Sequence, residues 1–317
     1  MTPPDLRSRV RGCLLAGAVG DALGAPVEFD SVDAIRARLG PAGVTDLLPS
    51  GYGPPGLITD DTQMVLFTVE ALVTPGDSLH AAYLRWLRTQ ETTGPPPDAT
   101  GLAAQPWLYA ARAPGNACLS GLRTGRANPE SKGCGTVMRS APFGLASTTP
   151  EAAATAAIEG SALTHGHPTA GVAAAGLAVL IHPLRHGTAL VASVRRTVAH
   201  LPPLDGPEET TDAVLRAAAG EDELGEGWVA EEALAMSVRY ALAHPGPDEL
   251  GAALLLAVNH SGDSDSTGAI TGNILGALHG EQAIPAAWAR AVEGRDTILG
   301  LAGRLDPGVT ARLGSQP

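Results

Sequence analysis

Apolar side chains recur at helical spacing along most of the chain. Leu6, Val10, Cys13 and Leu14 begin one such face, which continues through Gly17 and Ala18 and predicts a helix from Leu6 toward Leu23. Gly17, Gly20 and Gly24 fall on its later turns, where they weaken intrinsic helicity. Glycine is expected there if another backbone or a ligand must come close. Pro26 breaks the segment. A second apolar face over Val65, Val69, Leu72 and Val73 predicts a helix from Gln63 to Val73, and Asp77-Ser78 opens a third carrying Leu79, Tyr83, Trp86 and Leu87. Thr148-x-x-Glu151 reads as a capping box for the next helix. Helical runs follow at Ala170 to Ile181, Ala189 to Leu201, Glu231 to Ala243, Asp248 to Val258, Thr267 to Leu278 and Ala283 to Leu305.

Between these runs lie stretches rich in Gly and Pro. Residues 40 to 58 form one loop, and residues 91 to 117 form a longer one holding Trp107 and Tyr109, long enough to be functional. Those two aromatics either stack on a base or fill the core. Residues 202 to 227 are acidic and read as a peripheral loop around a short helix. Strand-like alternation is scarce and aromatics are only 3% of residues, so a compact all-α fold of many helices is expected. The chain of 317 residues shows no fixed-period repeat and no boundary, which predicts one domain over residues 1–317.

Charge narrows the function. Lys+Arg 21 against Asp+Glu 33 gives a net charge of −12, which excludes a non-specific nucleic-acid surface. Cys13, Cys118 and Cys134 are an odd count without a CxxC, which favours a reducing cytosol. No apolar stretch is long enough to span a bilayer. The expectation is a soluble cytoplasmic monomer.

Two acidic loops carry the candidate chemistry. Asn259-His260-Ser261-Gly262-Asp263-Ser264-Asp265-Ser266-Thr267-Gly268 sits between apolar helical runs, and Thr59-Asp60-Asp61-Thr62 opens another helix after a Gly-containing loop. Either group can cap its helix. Either can also offer hard oxygens to a divalent cation. If the two meet, their carboxylates repel strongly without cations, and a binuclear site for Mg2+ or Mn2+ is the natural explanation. An EF-hand fails because its twelfth position is Ile274, where a glutamate is required. Zinc fits poorly with an oxygen donor set.

Gly133-Cys134-Gly135-Thr136 is a glycine-rich turn that either bends the chain or cradles phosphate, but it lacks the pattern of a P-loop. Cys134 with His165 is a weak candidate for a thiol nucleophile, and a small buried side chain is the expected role. His165-Gly166-His167 reads as loop chemistry or a core hydrogen bond.

Taken in order, Gly12-x-x-x-x-Gly17-Ala18-Val19-Gly20-Asp21-Ala22-Leu23-Gly24, Thr59-Asp60-Asp61-Thr62, Gly133-Cys134-Gly135-Thr136-Val137-Met138-Arg139-x-x-Pro142, Thr164-His165 and Gly262-Asp263-x-Asp265-Ser266 closely resemble the motifs of the ADP-ribosylglycohydrolase family. The resemblance spans nearly the whole chain. It implies an all-α fold with two Mg2+ or Mn2+ ions in a cleft, held by Thr59, Asp60, Asp61, Asp263, Asp265 and Ser266. Glu28 matches a family glutamate that reaches the metals or the attacking water. Glu28, Asp60, Asp61 and Asp265 are the candidate catalytic groups. The resemblance places ADP-ribose against Gly133, Cys134, Gly135, Thr136, Met138 and His165, with Cys134 standing where many members carry asparagine.

The activity it implies is hydrolysis of the bond between ADP-ribose and an acceptor on a protein or small molecule. Arginine linkage is preferred over serine-linked or polymeric substrates by similarity to the nitrogenase-regulating branch. An inactive ADP-ribose sensor and a phosphoesterase are the competing readings.

Overall fold

The computed structural model describes residues 3–201 and 208–305. Fifteen α-helices lie among them, linked by short 3-10 turns and by isolated bridges rather than strands. In chain order they are α1 (Leu6–Gly24), α2 (Val32–Leu39), α3 (Asp60–Val73), α4 (Leu79–Glu91), α5 (Asn116–Thr124), α6 (Ala141–Ala146), α7 (Pro150–Ala162) and α8 (Pro168–Arg185). There follow α9 (Leu190–His200), α10 (Glu209–Ala218), α11 (Ala230–Ala243), α12 (Leu250–Val258), α13 (Ser264–His279), α14 (Ala286–Ala291) and α15 (Arg295–Arg304). None is long and apolar enough to cross a membrane.

The glycines of α1 meet backbone. A Cβ on Gly20 would lie 2.0 Å from the carbonyl oxygen of Gly268, and one on Gly24 would lie 2.3 Å from that of Ser264. Reciprocally, Cβ atoms on Gly272 and Gly276 would each lie 2.1 Å from the carbonyl oxygens of Ala16 and Gly12. As the residue number rises on α1 its partner falls on α13, so the helices run antiparallel with their backbones in direct contact. Small residues every fourth position make that approach possible. Asn273 fills the space opposite Gly17 and donates to the carbonyl of Cys13 at 2.8 Å. At the far end the Arg9 guanidinium, nearly buried, donates to the carbonyls of Ala277 and Leu278, groups left free at the C-terminus of α13. This pairing carries the C-terminus of α1 to the N-terminus of α13.

Most helix limits match the periodicity. Helix α3 starts three residues before the predicted Gln63, because Thr59 caps it and Asp60 and Asp61 form its first turn. The cap of α7 is Thr149, whose hydroxyl accepts from the amide of Ala152 at 3.2 Å; the box expected from Thr148 and Glu151 does not form, because the third helical position is Ala152. The run Ala283 to Leu305 is two helices, since Gly294 at φ 69° turns the chain between α14 and α15. Trp107 packs against that turn and Tyr109 donates to the carbonyl of Ala103, so both aromatics of the long loop serve packing.

Gly20→Ala is expected to lower the unfolding free energy by roughly 1–3 kcal/mol or more, because the two backbones must part. Gly300→Ala, with open space around it in α15, should instead gain about 0.5–1 kcal/mol. Urea titration of the two variants checks both. An unmoved midpoint for Gly20→Ala would mean that the contact is not close in solution.

Candidate active site

Asp21 sits in the last turns of α1, fully buried, and reaches across to the start of α3. Its carboxylate accepts from the amide of Thr59 at 3.0 Å, from the amide of Thr62 at 3.1 Å and from the Thr62 hydroxyl. It therefore caps α3 from another helix. The Thr59 hydroxyl adds a local cap through the amide of Asp61 at 3.3 Å. A second brace comes from the long loop: the Arg112 guanidinium donates to the carbonyl of Ile58 at 2.8 Å while paired with Glu293. The amide of Gly115 donates to Asp60 at 3.3 Å.

At the head of α13, Asp263 is the N-cap, accepting from the amide of Ser266 at 3.2 Å, and Asp265 accepts from the same amide at 2.9 Å. Gly262, at φ 113°, packs against the carbonyl of Glu226, which also accepts from the amide of Asp263 at 2.8 Å. The stretch around Glu226 to Trp228 is thus a wall of the site. The expectation that 202 to 227 is peripheral is corrected only at its end, where Glu226 and Gly227 pack against the Asp263 turn, which needs backbone partners there. Residues 202–207 lie outside the described residues.

These elements enclose a cavity of about 440 Å³ lined by Glu28, Asp60, Asp61, Asp263, Asp265 and Ser266 on one side and by Gly133, Cys134, Gly135, Met138 and His165 on another. The two acidic loops meet. Thr59 and Thr136 stand behind the cavity, fully buried, with the Thr136 hydroxyl donating to the carbonyl of Ala170 at 3.1 Å. No lysine or arginine among the described residues lines the space. Among the described residues no three His, Cys, Asp or Glu side chains are drawn into a finished metal-ligand arrangement. Two buried carboxylate oxygens of the cavity lining, Glu28 Oε2 and Asp61 Oδ2, have no hydrogen-bond partner among the described residues.

Crowding leaves its mark on the acids. Burial, then Asp265, raises Asp21 from its ordinary value to about 7. Burial, then Asp265, Asp263, Asp60 and Asp21, pushes Glu28 up to about 11. Burial holds Asp60, Asp61 and Asp265 well above the usual carboxylate range, with neighbouring carboxylates adding to it, and it raises Asp263 as well. Like charges in a desolvated space cannot all ionise unaided.

A Cys–His nucleophile does not form. The Cys134 thiol donates to Asp263 at 2.8 Å, and burial and Asp263 push it well up, away from thiolate. Burial and Arg139 hold His165 down to about 3, so it is not imidazolium. The other histidine of that motif, His167, caps α8 through the amide of Thr169 at 3.2 Å.

Sequence reasoning missed four contributors. Asp21 did carry a signal, an acid inside an apolar helical run. Phe29 and Trp228 stack at the cavity mouth with ring centroids 5.7 Å apart, and Phe29 is 71% exposed. Nothing in periodicity marks either ring. Arg112 was hidden in the long loop.

A sequence model of the ADP-ribosylglycohydrolase family matches residues 2–313, and the chain belongs to that family of hydrolases acting on glycosyl bonds. It is 26% identical over 336 residues to an ADP-ribosyl-dinitrogen reductase glycohydrolase of Rhodospirillum rubrum, spanning 96% of this chain and 99% of the relative. An ADP-ribosylarginine hydrolase, Tri1, of Pseudomonas putida is 27% identical over 324 residues, spanning 96% of this chain and 80% of the relative. A solved structure described as an ADP-ribosylglycohydrolase-related protein complex superposes with a TM-score of 0.71 at 28% identity, over 96% of this chain and 99% of that one.

The raised carboxylates set a pH response. In the metal-free protein the folded state binds protons that the unfolded chain releases, so stability falls as pH rises. For Asp21 the window runs from its ordinary value of 3.8 to about 7. Melting temperature in a chelator is expected to drop across that range. A flat profile would show that the acids are not crowded.

Proposed function

We propose that the chain is a metal-dependent hydrolase that frees ADP-ribose from an acceptor, with arginine-linked substrates preferred. The observation that carries the reading is the meeting of Glu28, Asp60, Asp61, Asp263 and Asp265 around one cavity without a cationic side chain. Two divalent cations would balance that charge. Asp60, Asp61, Asp263 and Asp265, with the hydroxyls of Thr59 and Ser266, are the residues to hold them. Carboxylate and hydroxyl oxygens suit Mg2+ or Mn2+. The unpartnered oxygen of Asp61 fits such a role. Bound cations would supply positive charge that orients the ribose hydroxyls and acidifies a water.

The chain's own groups do the rest. With the neighbouring charges balanced, Glu28 falls back toward its ordinary range and can take the proton of the attacking water. Carboxylates around the ribose tolerate the positive charge that develops at its anomeric carbon. Gly133 and Gly135 let His165 and Cys118 pack directly on the turn, since a Cβ at Gly133 would lie 3.1 Å from His165 Nε2 and one at Gly135 3.1 Å from Cys118 Sγ. The preference for arginine draws on the two relatives whose names specify dinitrogen reductase and ADP-ribosylarginine. Three free thiols fit a cytoplasmic setting.

A turnover panel with arginine-, serine- and poly-ADP-ribosylated substrates, each with Mg2+ or Mn2+, tests the reading. Free ADP-ribose should appear fastest from the arginine linkage, and Asp265→Ala should slow release by about 100-fold or more. Tight ADP-ribose binding without turnover on any linkage would overturn hydrolysis in favour of a sensor. Release of phosphate or a nucleoside monophosphate would overturn it in favour of a phosphoesterase.

The charge cluster makes a further prediction. Metal binding should release protons, because the crowded acids must ionise to ligate. Titration of Mn2+ into weakly buffered protein near neutral pH should acidify the solution, and no proton release would show that the acids were already ionised.

A further inference from the structure

His165 enters the cavity from the segment between α7 and α8, its ring beside the glycine-rich turn. A Cβ on Gly133 would lie 3.1 Å from Nε2, and one on Gly135 would lie 3.4 Å from Cε1. The other ring nitrogen points away from the ligand space: Nδ1 stands 2.7 Å from the Thr164 hydroxyl oxygen. That oxygen accepts a hydrogen bond from Arg139 Nη2, also at 2.7 Å.

Arg139 is an unusual group to find there. It is 1% exposed, with no carboxylate partner among the described ion pairs. Its remaining contacts are the carbonyl of Gly160 at 3.1 Å, the Cys118 sulfur at 3.2 Å, the Met64 sulfur at 3.6 Å and the face of Tyr83 at 4.9 Å.

The chemistry of these partners decides the proton positions. A guanidinium only donates, so Thr164 must accept from it and has its own O–H left to give. The acceptors within reach are His165 Nδ1 at 2.7 Å, the carbonyl of Ser161 at 3.5 Å and the Cys118 sulfur, a weak acceptor that already takes a hydrogen bond from Arg139. The shorter contact is a sound O–H···N hydrogen bond and the longer one is at the limit of any. With Nδ1 accepting, the single proton of the neutral imidazole sits on Nε2, the cavity side. The ring stays neutral because burial, reinforced by Arg139, disfavours its charged form.

We propose that Arg139 and Thr164 are positioning residues that fix His165 as its Nε2–H tautomer, presenting a neutral donor to a phosphate or ribose oxygen of bound ADP-ribose. The ligand named here rests on the function proposed above; the tautomer does not. A neutral donor has a clear use in this cavity. An uncharged N–H can donate to the ligand without adding a second buried charge beside Arg139.

Nitrogen-15 NMR of the histidine rings in the ligand-free protein reads the tautomer directly. The wild type is expected to show His165 protonated at Nε2 with Nδ1 as acceptor. Thr164→Val should lose the fixed tautomer and bind free ADP-ribose about tenfold more weakly, the size of one hydrogen bond. Thr164→Ser, which keeps the hydroxyl, should restore both. A wild-type ring protonated at Nδ1 overturns the inference. So does Thr164→Val with unchanged tautomer and unchanged ADP-ribose affinity. A wild type with the expected tautomer that binds no ADP-ribose would overturn the functional reading and with it the ligand half of this inference.

Discussion

The contact between α1 and α13 is the constraint on which the rest depends. Glycines on both helices let backbone touch backbone, with Gly20 and Gly24 lying against Gly268 and Ser264. Helices separated by ordinary side chains stand 8–10 Å apart with some freedom to slide. A contact of this closeness allows far less. It fixes where α1 ends and where α13 begins, and these two points are the places from which Asp21, Glu28, Asp263 and Asp265 are aimed. Arg9 at the opposite end, satisfying carbonyls of α13, prevents the pair from shearing.

From that pair the acidic centre is assembled by capping. Asp21 caps α3, Thr59 caps α3 and Asp263 caps α13, so the same hydrogen bonds that start the helices hold the acids in place. The helix N-termini also soften the repulsion among the acids, since each presents partial positive charge. That relief is incomplete, as the upward displacement of Asp60, Asp61, Asp265 and Glu28 shows. Capping therefore does not exclude the ligation proposed for these side chains.

Much of this was legible in the order of residues. The helices with sustained 3.6-residue periodicity, such as α1 and α11, were placed to within a residue or two, and the glycines of α1 pointed to a close neighbour. The acids of both loops stood out because carboxylates paired with hydroxyls between apolar runs are costly without a purpose. The rest was not legible, for physical reasons. Helix α2 is short and mostly exposed, so it carries little apolar pattern. The turn at Gly294 interrupts a run whose spacing alone looks continuous. Contributions from distant loops, such as Glu226 offering its carbonyl to Asp263 or Arg112 offering its guanidinium to Ile58, depend on tertiary placement that no local window contains. Phe29 and Trp228 belong to the same class: each is one aromatic in a loop, and only the fold brings them face to face.

The missing cation in the cavity wall has a consequence for how occupants enter. Among the described residues no lysine or arginine faces inward to attract a diphosphate, and the protein's net charge of −12 opposes its approach at long range. On the proposed two-metal reading, positive charge arrives from solution, and occupancy by an anion and occupancy by divalent ions become one coupled equilibrium. Linkage then requires reciprocity: whatever factor the ions add to the grip on the anion, the anion adds to the grip on the ions. Depletion of divalent ions would thus switch the enzyme off at the binding step, and a saturating anionic ligand would protect it against the same depletion.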